Sequence, residues 1–166
     1  MNYANIKYTD ISNGDGVRTS LFVSGCNHHC KGCFNECAWD FSYGDEFTSD
    51  VFIKISESLD SYYISGLTIL GGEPLDPNNI NEVCSIVKGI KNIHKDKSIW
   101  IYTGYLYEDL INIPIFNEIC EYIDVLVDGK FIQELYDISL KFRGSSNQRI
   151  IDIKQTKLNN EIICYY

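Results

Sequence analysis

The sequence has few basic residues and no long apolar run, and these absences exclude several classes of protein. Only 14 Lys and Arg stand against 23 Asp and Glu in 166 residues, which gives a net charge of −9. Because nucleic-acid binding depends on clustered cations, we expect no nucleic-acid partner. No apolar run approaches the ~18 residues of a membrane span, and the N-terminus lacks the apolar stretch of a signal peptide. We therefore expect a cytoplasmic protein with no membrane partner.

The chain also has only three prolines and shows no repeat, low-complexity tract or Pro/Ser-rich linker. A chain of this length and evenness is expected to form one domain, residues 1–166. With 45% hydrophobic and 13% aromatic residues, it can bury a full core without disulfides or a structural metal. This composition excludes intrinsic disorder.

Short apolar runs and amphipathic stretches alternate along the chain. The apolar runs predict strands at residues 19–24, 67–70, 99–102 and 123–127. Periodic spacing predicts helices at about residues 49–60, 77–90 and 114–121. Asp76 is the expected N-cap of the second helix. Continuously apolar strands joined by helices indicate an α/β fold with a mainly parallel sheet, covered on both faces.

Each predicted strand is followed by a polar or glycine-rich turn. In chain order these turns are Gly25-Cys26, Gly71-Gly72-Glu73-Pro74, Thr103-Gly104 and Asp128-Gly129-Lys130. Because parallel sheets place their chemistry at the carboxyl ends of the strands, we expect the four turns to converge on one rim. Asp and Gly are also common in ordinary turns, so a binding role for the last two remains open.

Four of the seven cysteines fall in one short stretch, at Cys26, Cys30, Cys33 and Cys37. The first three have the spacing C-x3-C-x2-C in a glycine-containing loop, and iron–sulfur clusters are held by such thiolates. Three protein ligands on a four-iron cluster would leave one iron open for substrate. All four cysteines would instead suit a structural zinc, and spacing alone leaves both interpretations open.

The other three cysteines lie singly in apolar surroundings. They are Cys84, Cys120 and Cys164. In a reducing compartment such residues usually act as small core side chains, and we predict that they are buried and without function.

The residues around the cysteines resemble the radical S-adenosylmethionine (SAM) family, whose signature is this cysteine loop after the first strand and a Gly-Gly-Glu-Pro turn after the second. Residues 13–19, 21–28, 30–35, 124–131 and 142–149 are closer still to the activating proteins of anaerobic (class III) ribonucleotide reductase, and the similarity runs from about residue 3 to residue 153. Most radical SAM enzymes have an aromatic residue before the third cysteine. This chain has Gly32 there and Phe34 after Cys33, a variation typical of the resembled family.

The resemblance implies a single-domain partial (βα) barrel of mostly parallel strands. Cys26, Cys30 and Cys33 would hold one [4Fe–4S] cluster, and SAM would bind at its open iron. Reductive cleavage of SAM would give methionine and a 5′-deoxyadenosyl radical, which abstracts a hydrogen from a glycine of the reductase. The implied partners are the glycyl-radical subunit of the reductase and an electron donor such as a flavodoxin.

The implied cofactor-binding residues lie in the cysteine loop and the strand-end turns, with no catalytic side chain beyond the cluster and SAM. They are Gly32, Cys33, Phe34, Gly71, Gly72, Glu73, Pro74, Thr103, Asp128 and Lys130. Gly71 and Gly72 would let the backbone approach the methionine part of SAM, and Glu73 would accept a hydrogen bond from its ammonium group.

Two other functions remain open from the sequence. The chain could activate a different glycyl-radical enzyme or act on a small molecule, or it could be a zinc-stabilised interaction module. A basic run near the C-terminus is either a solvated face or a docking surface for the reductase. Its members are Lys141, Arg143, Arg149, Lys154 and Lys157.

Overall fold

A computed structural model describes residues 1–166, and its strands form one seven-stranded sheet in the order β3-β1-β2-β4-β5-β6-β7. The strands are β1 (Asn2–Asp10), β2 (Val17–Val23), β3 (Asp45–Glu46), β4 (Ile64–Gly71), β5 (Ser98–Tyr102), β6 (Val125–Asp128) and β7 (Arg149–Asp152). The central strands β2, β4, β5 and β6 are parallel neighbours. The mixed α/β fold with a largely parallel centre is therefore confirmed, and it agrees with a partial radical SAM barrel.

The antiparallel strands at the two edges were not predicted. β1 pairs with β2 and β3, and β7 pairs with β6, all antiparallel. β1 is largely polar and much of it is exposed, so it lacks the continuous apolar run that marks a strand buried on both faces. β7 contains only four residues, too few for a clear period-two pattern.

Five helices pack against the sheet, and three of them lie near the predicted positions while the third and the fifth along the chain were not predicted. They are α1 (Ser49–Leu59), α2 (Ile80–Ile93), α3 (Tyr107–Leu110), α4 (Pro114–Ile119) and α5 (Ile153–Asn159), with 3₁₀ turns at Glu36–Trp39 and Gln133–Leu135. The expected cap is wrong, because Asn79 precedes α2 and the Asp76 carboxylate accepts from the Asn78 amide at 2.9 Å and the Asn27 side chain at 2.8 Å. None of these helices combines the length and the apolar character that a membrane span requires.

The main core lies between the sheet and the helices α1 and α2. Ile55 of α1 and Val87 of α2 pack with Leu67 and Ile69 of β4 in a cluster of 26 buried residues. A smaller cluster around Trp100 includes Val125, Val127 and Ile150. Each such side chain contributes roughly 1.5–3 kcal/mol by leaving water, so burial of both strand faces stabilises the central strands.

Two of the three scattered cysteines are buried as predicted, and the third is not. Cys84 and Cys120 lie in the main core, and burial raises the pKa of the Cys120 thiol to about 12. Cys164 is exposed, contrary to the prediction. It lies in the C-terminal tail, where its backbone forms an isolated antiparallel β-bridge with Ile151 of β7. The apolar residues around it in sequence do not cover its side chain.

A buried arginine connects β2 with the parallel strands β4 and β5. Arg18 of β2 is 1% exposed, and its guanidinium donates to the Thr68 hydroxyl at 2.7 Å and to the Ser98 carbonyl at 3.0 Å. The guanidinium also lies 5.3 Å from the ring centre of Trp100. Burial lowers the pKa of Arg18 to about 10, so it remains charged at neutral pH. Its contact with Asp15 is to the backbone carbonyl at 3.2 Å, so the two residues do not form a side-chain ion pair.

We expect Arg18→Lys to destabilise the protein strongly although it keeps the charge. A lysine ammonium cannot span acceptors on β4 and β5, and each buried acceptor left without a donor costs roughly 1–3 kcal/mol. The free energy of unfolding in urea should fall by about 2 kcal/mol or more. Lys95→Met, at an exposed position, is the matched control and should change it by less than about 0.5 kcal/mol. A loss for Arg18→Lys as small as the control's would contradict this role.

Candidate functional site

A cavity of about 450 Å³ opens where the parallel strands end. All four predicted strand-end turns contribute to its wall, as expected from the parallel topology. The contributing residues are Cys26 after β2, Gly71, Gly72 and Glu73 at the end of β4, Thr103 and Gly104 after β5, and Gly129 after β6. A volume of this size is typical of small-molecule and cofactor sites.

The cysteine loop brings three thiols to this cavity. Cys26, Cys30 and Cys33 all line it, and none of them forms a disulfide. The base of the loop is held by backbone hydrogen bonds, from Gly25 to the Ala38 carbonyl at 2.8 Å and from Cys26 to the Trp39 carbonyl at 3.1 Å. Gly25 has a φ of +93°, and a side chain there would collide with the ring of Phe41 at 2.0 Å. These contacts hold the two ends of the loop close together, and the three thiols between them line the same cavity.

Cys37 does not join the other three cysteines. It is exposed, its thiol donates to the side-chain oxygen of Asn35 at 3.2 Å, and it does not line the cavity. No three Cys, His, Asp or Glu side chains in the chain converge closely enough to hold one metal ion. A zinc site built from all four clustered cysteines therefore has no support in the structure.

The three thiols fit an iron–sulfur cluster in number and chemistry. Burial is the main cause that raises the pKa of Cys26 and of Cys30, so the protein alone favours their protonated forms. Iron binding removes these protons, since a coordinating thiol is deprotonated by the metal's charge. With three thiols in the cavity and the fourth outside it, the donor set suits a four-iron cluster that keeps one iron open.

Gly71 and Gly72 have a role that the sequence did not reveal. Gly71 has a φ of +112°, and a Cβ there would lie 2.7 Å from backbone atoms of Val23. A Cβ on Gly72 would lie 2.5 Å from the Gly25 carbonyl oxygen. The missing side chains thus let the turn pack against the end of β2 and the base of the cysteine loop. Close approach to SAM, the expected reason for the glycines, remains a prediction.

Glu73 is the most constrained polar group of the cavity. It is 1% exposed, and each of its carboxylate oxygens accepts two hydrogen bonds. Oε1 accepts from the Leu75 amide at 2.8 Å and the Thr103 hydroxyl at 2.8 Å. Oε2 accepts from the Gly104 amide at 2.7 Å and His28 Nε2 at 2.8 Å. One carboxylate therefore joins the cysteine loop, its own turn and the exit of β5.

Several expected cofactor-binding residues lie away from the cavity wall. Phe34 lines the cavity, whereas Gly32, Pro74, Asp128 and Lys130 do not. Gly32 packs against the side chain of Gln133, and Lys130 is exposed. Pro74 is buried behind the turn, and only Gly129 of the Asp128-Gly129-Lys130 turn reaches the wall. The structure thus gives these four residues no direct contact with the cavity.

Asp128 instead belongs to a buried ion pair. Its carboxylate is fully buried, accepts from the Tyr107 amide at 2.9 Å and binds Arg149 through Nε at 2.9 Å and through Nη2. Arg149 also forms a two-pronged contact with Glu108, at 2.9 Å and 2.7 Å. This hydrogen bonding lowers the pKa of Glu108 to about 2. Position at a strand end suggested a ligand, but the carboxylate faces β7.

The basic run near the C-terminus does not form a free cationic surface. Lys154 pairs with Asp124 at 2.6 Å, and Lys157 pairs with Glu121. Lys141 lies 5.6 Å from the ring centre of Tyr166. The remaining arginine, Arg143, lines the cavity and donates to the Gln148 carbonyl at 2.9 Å. The paired lysines support the solvated-face interpretation over the docking one.

Sequence comparison places the chain among proteins with this cluster chemistry. A family model described as a 4Fe-4S single cluster domain matches residues 12–151. An anaerobic ribonucleoside-triphosphate reductase-activating protein of Pasteurella multocida is 43% identical over 157 residues, which cover 93% of this chain and 99% of that protein. Proteins of the same name from Vibrio cholerae and Enterobacteria phage T4 are 44% and 41% identical, over 90% of this chain and 97% and 93% of theirs.

The chain belongs to the family of anaerobic ribonucleoside-triphosphate reductase-activating proteins. The resemblance seen in the sequence is thereby confirmed. The expected cofactors, one [4Fe–4S] cluster and SAM, are confirmed with it.

The sequence did not identify three residues that contribute to this site. They are His28, Arg143 and Asn79. His28 has no sequence signal beyond its place in the cysteine loop, and Arg143 was expected only as a member of the basic run. Asn79 donates to the carbonyls of Ser24 and Glu73, both at 3.0 Å, and so ties α2 to the cavity floor. Its position directly before α2 was the only sequence signal for it.

Alanine substitutions should separate Cys37 from the three cavity cysteines. Cys37→Ala should retain the iron content and visible absorbance of the reconstituted protein, because Cys37 is exposed and does not line the cavity. Cys30→Ala should lose most of both, because it removes one of three thiols. Iron and sulfide analysis after anaerobic reconstitution checks this. Equal losses in the two variants would mean that all four cysteines are ligands.

Removing Arg149 should cost far more stability than removing its exposed partner. Arg149→Met leaves the Asp128 carboxylate buried beside an apolar side chain, and breaking a buried pair in this way costs roughly 3–5 kcal/mol. Glu108→Gln breaks only a half-exposed contact and should cost less than about 1 kcal/mol. Urea unfolding of the two variants measures the difference. Similar losses would show that Asp128 does not depend on Arg149.

Proposed function

We propose that this chain activates an anaerobic ribonucleotide reductase by generating a glycyl radical on it. The observation that carries the proposal is the convergence of three cysteine thiols and the Gly-Gly-Glu-Pro turn on one cavity, in a chain of this family. The relatives carry the activating role in their names. Nothing in the structure favours another glycyl-radical enzyme or a small-molecule substrate over the reductase.

In this proposal Cys26, Cys30 and Cys33 hold the cluster, and SAM occupies the rest of the cavity. The cluster would supply an electron for reductive cleavage of the S–C5′ bond of SAM, the chemistry that gives methionine and a 5′-deoxyadenosyl radical. Glu73 accepts a hydrogen bond from the ammonium group of SAM, because it is the only carboxylate in the cavity wall. Thr103 orients that carboxylate through its hydroxyl.

Aromatic side chains keep water from the reacting region. Phe22, Phe131 and Phe142 line the cavity together with Leu70. Phe34 lies 5.1 Å from Phe131, ring centre to ring centre, and is 74% exposed, which places it at the mouth. Apolar walls strengthen electrostatic contacts inside a site and limit side reactions of an intermediate. A glycine of the reductase would have to reach this mouth.

The electron donor and the compartment complete the proposal. The donor is a one-electron carrier such as a reduced flavodoxin, since the chain itself holds a single cluster. The protein acts in the cytoplasm, because seven free thiols, three of them reserved for iron, persist in a reducing compartment. The reductase is the protein partner, and no nucleic acid or membrane takes part.

Anaerobic incubation with SAM, dithionite and the reductase tests the proposal. Electron paramagnetic resonance should detect a glycyl radical on the reductase, and none should form with Cys30→Ala, which lacks a cavity thiol. A reductase with alanine in place of the radical-bearing glycine is the second control. SAM cleavage with no radical on the reductase, but with one on another glycyl-radical enzyme, would overturn the choice of partner.

A further inference from the structure

The Glu73 carboxylate has no free acceptor position for a ligand. Each oxygen already accepts two hydrogen bonds, which is the usual capacity of a carboxylate oxygen. An ammonium group that binds this carboxylate must therefore take the place of one of the four donors. The identity of that donor follows from how firmly each is held.

Three of the donors cannot leave without rearranging the backbone or a buried hydroxyl. The amides of Leu75 and Gly104 belong to the turns themselves. Thr103 is 4% exposed, and its hydroxyl also accepts a hydrogen bond from the Tyr105 amide at 3.2 Å. Moving it would break two hydrogen bonds at once.

His28 is the movable donor. It lies in the cysteine loop, lines the cavity, and reaches Glu73 only through the tip of its imidazole, Nε2 to Oε2 at 2.8 Å. Because an ionised carboxylate only accepts, the imidazole donates here. Its side chain is 7% exposed, and its ring packs edge-on to Tyr105 at 4.5 Å between ring centres. The contact with Glu73 depends only on the side-chain torsions of a residue that lines the cavity, so its release requires no change in the backbone.

We propose that the His28 imidazole occupies the hydrogen-bonding position at Glu73 Oε2 that the ammonium group of SAM takes when SAM binds. This imidazole satisfies Glu73 Oε2 until the amino group of SAM replaces it. A buried carboxylate with a missing donor would be costly, so the histidine keeps the site formed before SAM arrives. The inference rests on the proposed function, and specifically on the contact between Glu73 and SAM.

The exchange makes His28 a competitor of SAM. When a ligand must displace an internal partner, its apparent dissociation constant equals the intrinsic constant divided by the fraction of molecules in which that partner is released. Removing the imidazole should therefore tighten SAM binding. A residue that merely supported the loop would have the opposite effect, since its loss would loosen the site.

Isothermal titration of the unreduced, cluster-loaded protein with SAM distinguishes these two roles. His28→Ala should lower the dissociation constant for SAM by about threefold or more. It should leave the constant for 5′-methylthioadenosine unchanged, because this probe keeps the adenosine and sulfur of SAM but lacks the aminocarboxypropyl chain and therefore the ammonium group. The matched control is His29→Ala, which removes the neighbouring exposed imidazole that stacks on Trp39 at 4.6 Å and has no contact with Glu73. It should change neither constant.

Weaker or unchanged SAM binding in His28→Ala would overturn the proposal, as would an equal change for both probes. If the alanine variant does not take up its cluster, His28→Asn provides the same test, because its shorter side chain stays polar but does not reach Glu73. Glu73→Gln separates this inference from its premise. If SAM binds the wild-type protein but Glu73→Gln binds it equally well, the contact between Glu73 and SAM is wrong. If wild-type protein does not bind SAM, the proposed function itself fails.

Discussion

The cavity depends on one buried carboxylate that three separate segments of the chain bind at once. Glu73 accepts from its own turn, from the exit of β5 and from the cysteine loop. A fully buried carboxylate is stable only when its oxygens are satisfied, so the cost of leaving any donor unpaired holds these segments in place. The thiols on one segment and the turn on another are therefore kept at a defined separation.

This arrangement is possible because the parallel strands end at the same edge. β2 and β4 run side by side with Val23 opposite Gly71, so the cysteine loop and the Gly-Gly-Glu-Pro turn start level with each other. The glycines then remove the side chains that would keep the two turns apart, as the 2.5 Å approach of a Gly72 Cβ to the Gly25 carbonyl indicates. The sheet register therefore places the two turns at the same position along the strands. The absence of Cβ atoms on Gly71 and Gly72 lets the turns pack closely against each other.

The sequence predicted those parts that depend on local pattern or on a motif. The apolar runs located the central strands, and the cysteine spacing with the Gly-Gly-Glu-Pro turn located the cavity. It could not predict β1, whose polar residues lie at the exposed side of the sheet. Nor could it predict which partner a charged residue takes: Asp128 and Arg149 are far apart in sequence and meet only because β6 and β7 pair antiparallel. The number of donors on Glu73 likewise depends on residues from distant turns.

In small metal-binding proteins, folding and metal binding often occur together. The backbone hydrogen bonds at the base of the cysteine loop separate the two in this protein. The amides of Gly25 and Cys26 bind the carbonyls of Ala38 and Trp39, so both ends of the loop are held by the polypeptide itself. Metal-dependent domains without such closure use the metal's binding energy to fold. Here the polypeptide itself joins both ends of the loop, so we expect a protein that has lost its cluster to oxidation to keep its fold and to take up iron again without refolding.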